Sequence, residues 1–242
     1  MANTENLTKR KKVLSILFSV FTVLLTILVI GVVFNIYFSI GYLFILIIHE
    51  LGHYIGAKFL NIKIIFGGLT PFGAYIIHDD IKSCKENALV AIAGPLFGGI
   101  LALIYYLIYH FTGNSTFFVL SFVSVSINLL NLIPVQPFDG AYVAEIISPI
   151  ISYIGLIFLL FIAITSKHKL LWVILLVIGI GKTYELREKY YKDNYFRVER
   201  NIKVKYITYY GTLLLLLGFS TLYFYQFNNL QALIIDILRF KG

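Results

Sequence analysis

Long charge-free apolar runs alternate along the chain with short polar segments, most of them basic, and this pattern predicts membrane-spanning helices. Residues 13–49 contain no Lys, Arg, Asp or Glu. As a single helix they would extend about 55 Å, well past a hydrocarbon core of roughly 30 Å. The run therefore predicts one whole span and most of a second, turning near 35–41. Residues 87–138 are again free of charge, enough for two spans divided by the polar patch at 110–116. Residues 146–166 and 206–235 predict one span each. The run 170–181 is 12 residues long and can cross only if Lys169 and Lys182 snorkel. Residues 62–77 set β-branched positions around Gly67, Gly68, Pro71 and Gly73. They predict a small β-hairpin-like loop, either a plain structural cover or an edge to which an extended substrate adds as a strand. The expected fold is an all-α polytopic membrane protein with about six to seven transmembrane helices.

Composition narrows the class further. Only 13% of the 242 residues are charged and 59% are hydrophobic, against roughly 25% and 45–50% in soluble domains. A water-exposed fold and a disordered chain are both excluded, and a single cysteine, Cys84, excludes a disulfide scaffold. The net charge of +8 reads as topology and not as affinity for nucleic acid. Lys9, Arg10, Lys11 and Lys12 directly precede the first apolar run, and no Ala-x-Ala-like cleavage site follows. The N-terminus is therefore expected in the cytoplasm. With seven spans, segments 1–12, 58–87 and 182–205 are cytoplasmic and hold sixteen of the 20 Lys and Arg residues. Six spans would put the basic loop 182–205 outside, so the charge pattern favours the short seventh. The expected layout is a cytoplasmic tail at 1–12, a membrane-embedded domain at 13–226 with its core at about 36–145, and an amphipathic segment at 227–242.

Ionisable groups in apolar segments are costly, so each marks a candidate site. His49-Glu50-Leu51-Gly52-His53 closes one such run. On a helix, His49 and His53 lie one turn apart on the same face, a spacing that lets two imidazoles hold one metal ion. Glu50 can then reach a water at that ion as general base. The alternative is a purely structural histidine pair, but burying three ionisable groups without a metal or partners costs several kcal/mol. A zinc site needs one more protein ligand. Asp139 is the candidate: it ends a charge-free run, follows the helix-breaking Pro134 and Pro137, and precedes Gly140. The competing reading makes Asp139 a helix cap. Counted from a cytoplasmic N-terminus, both motifs reach the cytoplasmic side. His78-Asp79-Asp80 reads as a solvated turn, and Gly94, Pro95, Gly98 and Gly99 as close helix packing or a kink. Cys84 reads as an inert thiol in a cytoplasmic loop. Asn128 lies one turn before Asn131, and Glu145 either starts the next span, bonds locally or supports Asp139.

Taken together, His49-Glu-Leu-Gly-His53, Ala93-Gly94-Pro95 and Asn131-x-x-Pro134-x-x-x-x-Asp139-Gly140 resemble the site-2 proteases, intramembrane zinc metalloproteases, over roughly residues 40–145. Gly67-Gly68-Leu-Thr-Pro71-Phe72-Gly73 is similar to the glycine-rich hairpin of the compact bacterial members, including sporulation-factor processing proteases. The resemblance implies a three-helix catalytic core and one catalytic Zn2+ held by His49, His53 and Asp139. It implies that Glu50 activates water and that Asn131 holds the substrate or its oxyanion. Neither a PDZ insertion nor a nucleotide-sensing CBS domain is present in the sequence, so substrate choice and regulation are expected to come from elsewhere. The expected activity is hydrolysis of a peptide bond in or near a membrane segment of a membrane-associated protein or small peptide. It would serve regulated proteolysis or peptide maturation at the cell membrane, with the active site opening to the cytoplasm. No nucleic-acid partner is expected, and the oligomeric state stays open. The alternative is a non-proteolytic membrane protein, a peptide exporter or immunity factor, that keeps a structural zinc site. A His-Glu-x-x-His protease with a glutamate third ligand is disfavoured, because Glu145 sits in no such motif.

Overall fold

The computed structural model describes residues 21, 23–25, 27–62, 64–70, 73–78, 81, 83–226 and 234. The basic tail at 1–12, Asp79 and Asp80, and all but Ile234 of the segment 227–242 lie outside the described residues.

Helical backbone at 27–33 is interrupted at Phe34 and Asn35. The chain restarts as α1 (Ile36–Phe59), whose first turn is capped by the Asn35 side chain accepting from the Phe38 amide at 2.8 Å. The charge-free run 13–49 is thus divided at a polar cap. α1 stops at Leu60, where Asn61 takes up a left-handed φ of 57°, a conformation that asparagine tolerates better than most residues. β1 (Ile64–Thr70) and β2 (Gly73–His78) pair antiparallel, with a register shift between Phe66 and Gly68, and pack against α1.

α2 (Cys84–Thr112) and α3 (Ser115–Asn131) meet at Gly113, which turns the chain with φ 69°, and at the Asn114 cap. The polar patch 110–116 is this junction. Two hydroxyls fasten α3 to α2: Ser121 Oγ donates to the Ala102 carbonyl at 2.7 Å and Ser124 Oγ to the Gly98 carbonyl at 2.8 Å. In an apolar environment such bonds substitute for the missing hydrophobic drive between helices.

After the proline-containing loop come α4 (Gly140–Ile147), α5 (Ile150–Thr165), α6 (Lys169–Tyr190), a 3₁₀ turn (Asn194–Phe196) and α7 (Arg200–Gln226). Glu145 therefore belongs to a separate short helix and does not start α5, because Ser148 and Pro149 end that helix first. The run 170–181 is the first half of the longer α6, whose last turns carry Lys182, Glu185, Arg187 and Lys189. Cys84 is no loop residue: it opens α2, fully buried among Ala88, Val143, Ile146, Phe196 and Tyr206. The Tyr206 hydroxyl donates to the Lys85 carbonyl at 2.8 Å, and the Tyr210 hydroxyl donates to the Leu132 carbonyl, tying α7 to both ends of the core.

α1, α2 and α7 are each long and apolar enough to cross a membrane, while α3 and α5 are apolar helices of 17 and 16 residues. Large apolar side chains such as Phe44, Leu103, Ile157 and Phe219 face outward. Surfaces of this kind need lipid rather than water around them. The protein is a helical membrane protein with polar side chains such as Glu50, Ser121, Ser124 and Asn128 buried in its interior.

Candidate metal centre

α1 carries the first two donors inward. His49, Glu50 and His53 are all buried, because one face of α1 packs on α2 through glycine. A Cβ on Gly52 would lie 2.3 Å from the Ala93 carbonyl oxygen, and one on Gly94 would lie 2.3 Å from His53 Nε2. Only hydrogen at these two positions lets the helices close to this distance and lets the imidazole lie flat against α2. Gly94, read from the sequence as a packing residue, is therefore a wall of the site.

The third donor arrives on the loop between α3 and α4. A Cβ on Gly140 would lie 2.2 Å from the Leu132 carbonyl oxygen, so the chain folds tightly back on itself just beyond the prolines. That fold presents Asp139 to α1. Asp139 Oδ2 lies 3.2 Å from His49 Nε2 and 3.4 Å from His53 Nε2, and the two Nε2 atoms are 3.1 Å apart. Asp139 occupies the N-cap position of α4, yet its side chain makes no capping bond. Its Oδ2 is buried without a hydrogen-bond partner among the described residues. The geometry therefore places this carboxylate at the histidines and not on the helix end.

The outer ring nitrogens determine which atoms face the centre. His53 Nδ1 lies 2.8 Å from the Val90 carbonyl, which can only accept, so Nδ1 carries the proton and Nε2 presents its lone pair. His49 Nδ1 lies 2.8 Å from Asn128 Oδ1 with the same consequence. Three acceptors thus converge within 3.4 Å of one another. Uncompensated, they repel; a cation among them resolves the repulsion. Tetrahedral ligands about 2.0–2.1 Å from a zinc ion stand roughly 3.3 Å apart, so the donor set fits. His49, Glu50 and His53 also form a group whose ligand atoms lie within 4.8 Å of one another and can hold a metal ion.

Other residues singled out from the sequence fall outside this triangle. Asn131 is the half-buried last residue of α3 and makes no side-chain hydrogen bond among the described residues. Glu145 is buried and accepts from Gln136 Nε2 at 3.4 Å, bracing the loop that carries Asp139. An apolar cavity of about 1120 Å³ lies between the starts of α1 and α3 and the end of α2, around Tyr37, Phe44 and Tyr105, away from the centre. Val90 was missed by sequence reasoning: its contribution is a carbonyl, which no side-chain motif records.

A buried His-x-x-x-His pair with an adjacent glutamate and a converging aspartate, set in apolar helices, is a donor set that can hold a metal ion. Residues 37–115 match the model of peptidase family M50. A zinc metalloprotease of Methanocaldococcus jannaschii is 33% identical over 107 residues, 42% of this chain and 31% of that protein. Stage IV sporulation protein FB of Bacillus subtilis is 34% identical over 102 residues, 40% of this chain and 35% of its own. The matches span 31–47% of the length of the curated relatives. A solved site-2 protease from Methanocaldococcus jannaschii aligns with 20% identity and a TM-score of 0.44, covering 76% of this chain and 90% of that one. The resemblance to peptidase family M50 rests on the segment that holds His49, Glu50 and His53. Asp139 lies beyond the segment matched by the family model, and its place at the centre rests on geometry.

Proposed function

We propose that the protein is an intramembrane zinc metalloprotease that hydrolyses a peptide bond in or near a membrane segment of a protein or small peptide. The observation that carries this reading is the convergence of His49 Nε2, His53 Nε2 and the otherwise partnerless Asp139 Oδ2 beside Glu50. His49, His53 and Asp139 hold the ion. A zinc ion held there would supply Lewis acidity for polarising the scissile carbonyl and for lowering the pKa of a water toward neutrality. Glu50 takes a proton from the attacking water at its carboxylate as the new C–O bond forms. It then delivers that proton to the amide nitrogen as the C–N bond breaks. Asn131, one turn beyond Asn128 on α3, is the residue to hold the substrate or its oxyanion.

A helical substrate segment hides its carbonyls in hydrogen bonds, so it must unwind before cleavage. The β1–β2 pair beside α1 supports capture of an unwound segment as an added strand. The basic-residue partition supports a cytoplasmic N-terminus, a site opening to that side and, with seven spans, a cytoplasmic segment 182–205. The test is a pair of purified proteins, wild type and Glu50→Gln, each presented in detergent with a panel of single-span test substrates, with products read by mass spectrometry. Cleavage by wild type alone supports the reading. Equal cleavage by both removes Glu50 from the chemistry. Zinc bound by both with no cleavage by either favours the non-proteolytic alternative.

A further inference from the structure

Beside His49, α3 places an asparagine with no assigned task. Asn128 is fully buried, and a buried amide in a membrane helix is retained only where its bonds are made. Its Nδ2 donates to the Ser124 carbonyl at 2.7 Å, and that carbonyl can only accept. The bond fixes the amide so that Oδ1, not the NH2 group, faces His49 Nδ1 at 2.8 Å. α3 is in turn fixed on α2 by Ser124 Oγ, which donates to the Gly98 carbonyl at 2.8 Å. The amide lies against Gly98 itself: a Cβ there would lie 2.0 Å from Nδ2 and 2.1 Å from Oδ1. Gly98 is thus the space that Asn128 occupies.

We infer that Asn128 is a positioning residue of the metal centre, with Gly98 as its seat: its Oδ1 accepts from His49 Nδ1–H and so turns the Nε2 lone pair toward Asp139 and His53. The relay runs from the Ser124 carbonyl through the amide to the imidazole, and each link has a single permitted direction. His53 has a backbone equivalent in the Val90 carbonyl. The two ligand rings are therefore locked from two sides, one by α2 and one by α3. Partners of this kind orient metal-binding imidazoles and raise their basicity, and their loss costs typically 10–100-fold in metal affinity.

The inference rests on the reading of His49, His53 and Asp139 as metal ligands, and the test separates the two. Zinc affinity of the full chain in detergent is measured by competition with a chelator for wild type, Asn128→Leu, Asn128→Asp and Gly98→Ala. Thermal unfolding of the metal-free proteins and the absorption spectrum of the cobalt(II) forms are recorded in parallel. Asn128→Leu, of similar volume, is expected to weaken zinc about 10–100-fold and to shift the cobalt spectrum. Asn128→Asp, which keeps the acceptor, is expected to recover most of that loss. Gly98→Ala is expected to act like Asn128→Leu although it removes no polar group. Unchanged affinity and spectrum in Asn128→Leu, with zinc still bound by wild type, would overturn the inference and leave the metal site standing. Absence of zinc from wild type would remove both. Should a variant fail to fold, the ¹⁵N spectrum of metal-free wild type decides alone: His49 protonated at Nδ1 supports the inference, and protonation at Nε2 overturns it.

Discussion

Gly52→Ala adds one methyl group at the tightest point between α1 and α2. The new Cβ would lie 2.3 Å from the Ala93 carbonyl oxygen and 2.9 Å from Gly94 Cα. An ordinary C···O contact is about 3.3 Å or more, so the helices must separate locally by about 1 Å. Both obstacles are backbone, and no rotamer change relieves them. Overpacking of this kind costs about 1–3 kcal/mol, which for a chain of this size lowers the midpoint of unfolding by about 2–12 °C. The same seam is crossed by the 2.8 Å bond from His53 Nδ1 to the Val90 carbonyl. An added separation of about 1 Å breaks that bond, and freeing the ring weakens zinc about 10–100-fold. The assay is thermal unfolding in detergent together with chelator competition, with Gly211→Ala and Gly218→Ala as controls. At both control positions an added Cβ meets nothing within 4 Å, so they are expected to unfold at or above the wild-type temperature. A Gly52→Ala protein with wild-type unfolding and wild-type zinc affinity would refute the claim that this contact shapes the centre.

Three further outcomes follow. Glu50→Gln keeps zinc bound, since the three converging donors remain, while cleavage falls by at least the 10²–10⁴-fold that general base catalysis supplies; loss of zinc in this variant counts against the assignment. Asp139→Asn lowers zinc affinity by at least tenfold, the smallest loss typical of even an outer partner, with little change in metal-free stability; a cap would leave both unchanged, because asparagine caps about as well as aspartate. Single cysteines placed at 182–205 are labelled from the cytoplasmic side and those at 111–116 from the outside; external labelling at 182–205 would reduce the crossings to six.

The donors were legible in the sequence because their chemistry is local or conspicuous. His49 and His53 are one turn apart, and a lone carboxylate at the end of 52 uncharged residues draws the eye. Asp139 was legible as the candidate third ligand, with a helix cap as the competing reading; the tertiary fold turns its carboxylate from the α4 amides toward α1. The roles of Asn128 and Val90 depend on where α2 and α3 cross α1, and no spacing within one helix encodes a crossing. Gly94 and Gly98 were visible as small residues, but their neighbours, the His53 ring and the Asn128 amide, were not. Cys84 was misplaced for the same reason: a residue near polar sequence was read as part of a loop, whereas it opens α2, and α4, α7 and the 3₁₀ turn close over it.

The most direct test of the central claim is zinc K-edge absorption on the purified full chain in detergent, with metal content measured on the same sample. One zinc per chain is expected in a shell of nitrogen and oxygen at about 2.0–2.1 Å with two imidazoles, with loss of that shell in Asp139→Asn. A zinc-free protein, a sulfur-containing shell, or an unchanged shell in Asp139→Asn would contradict the claim.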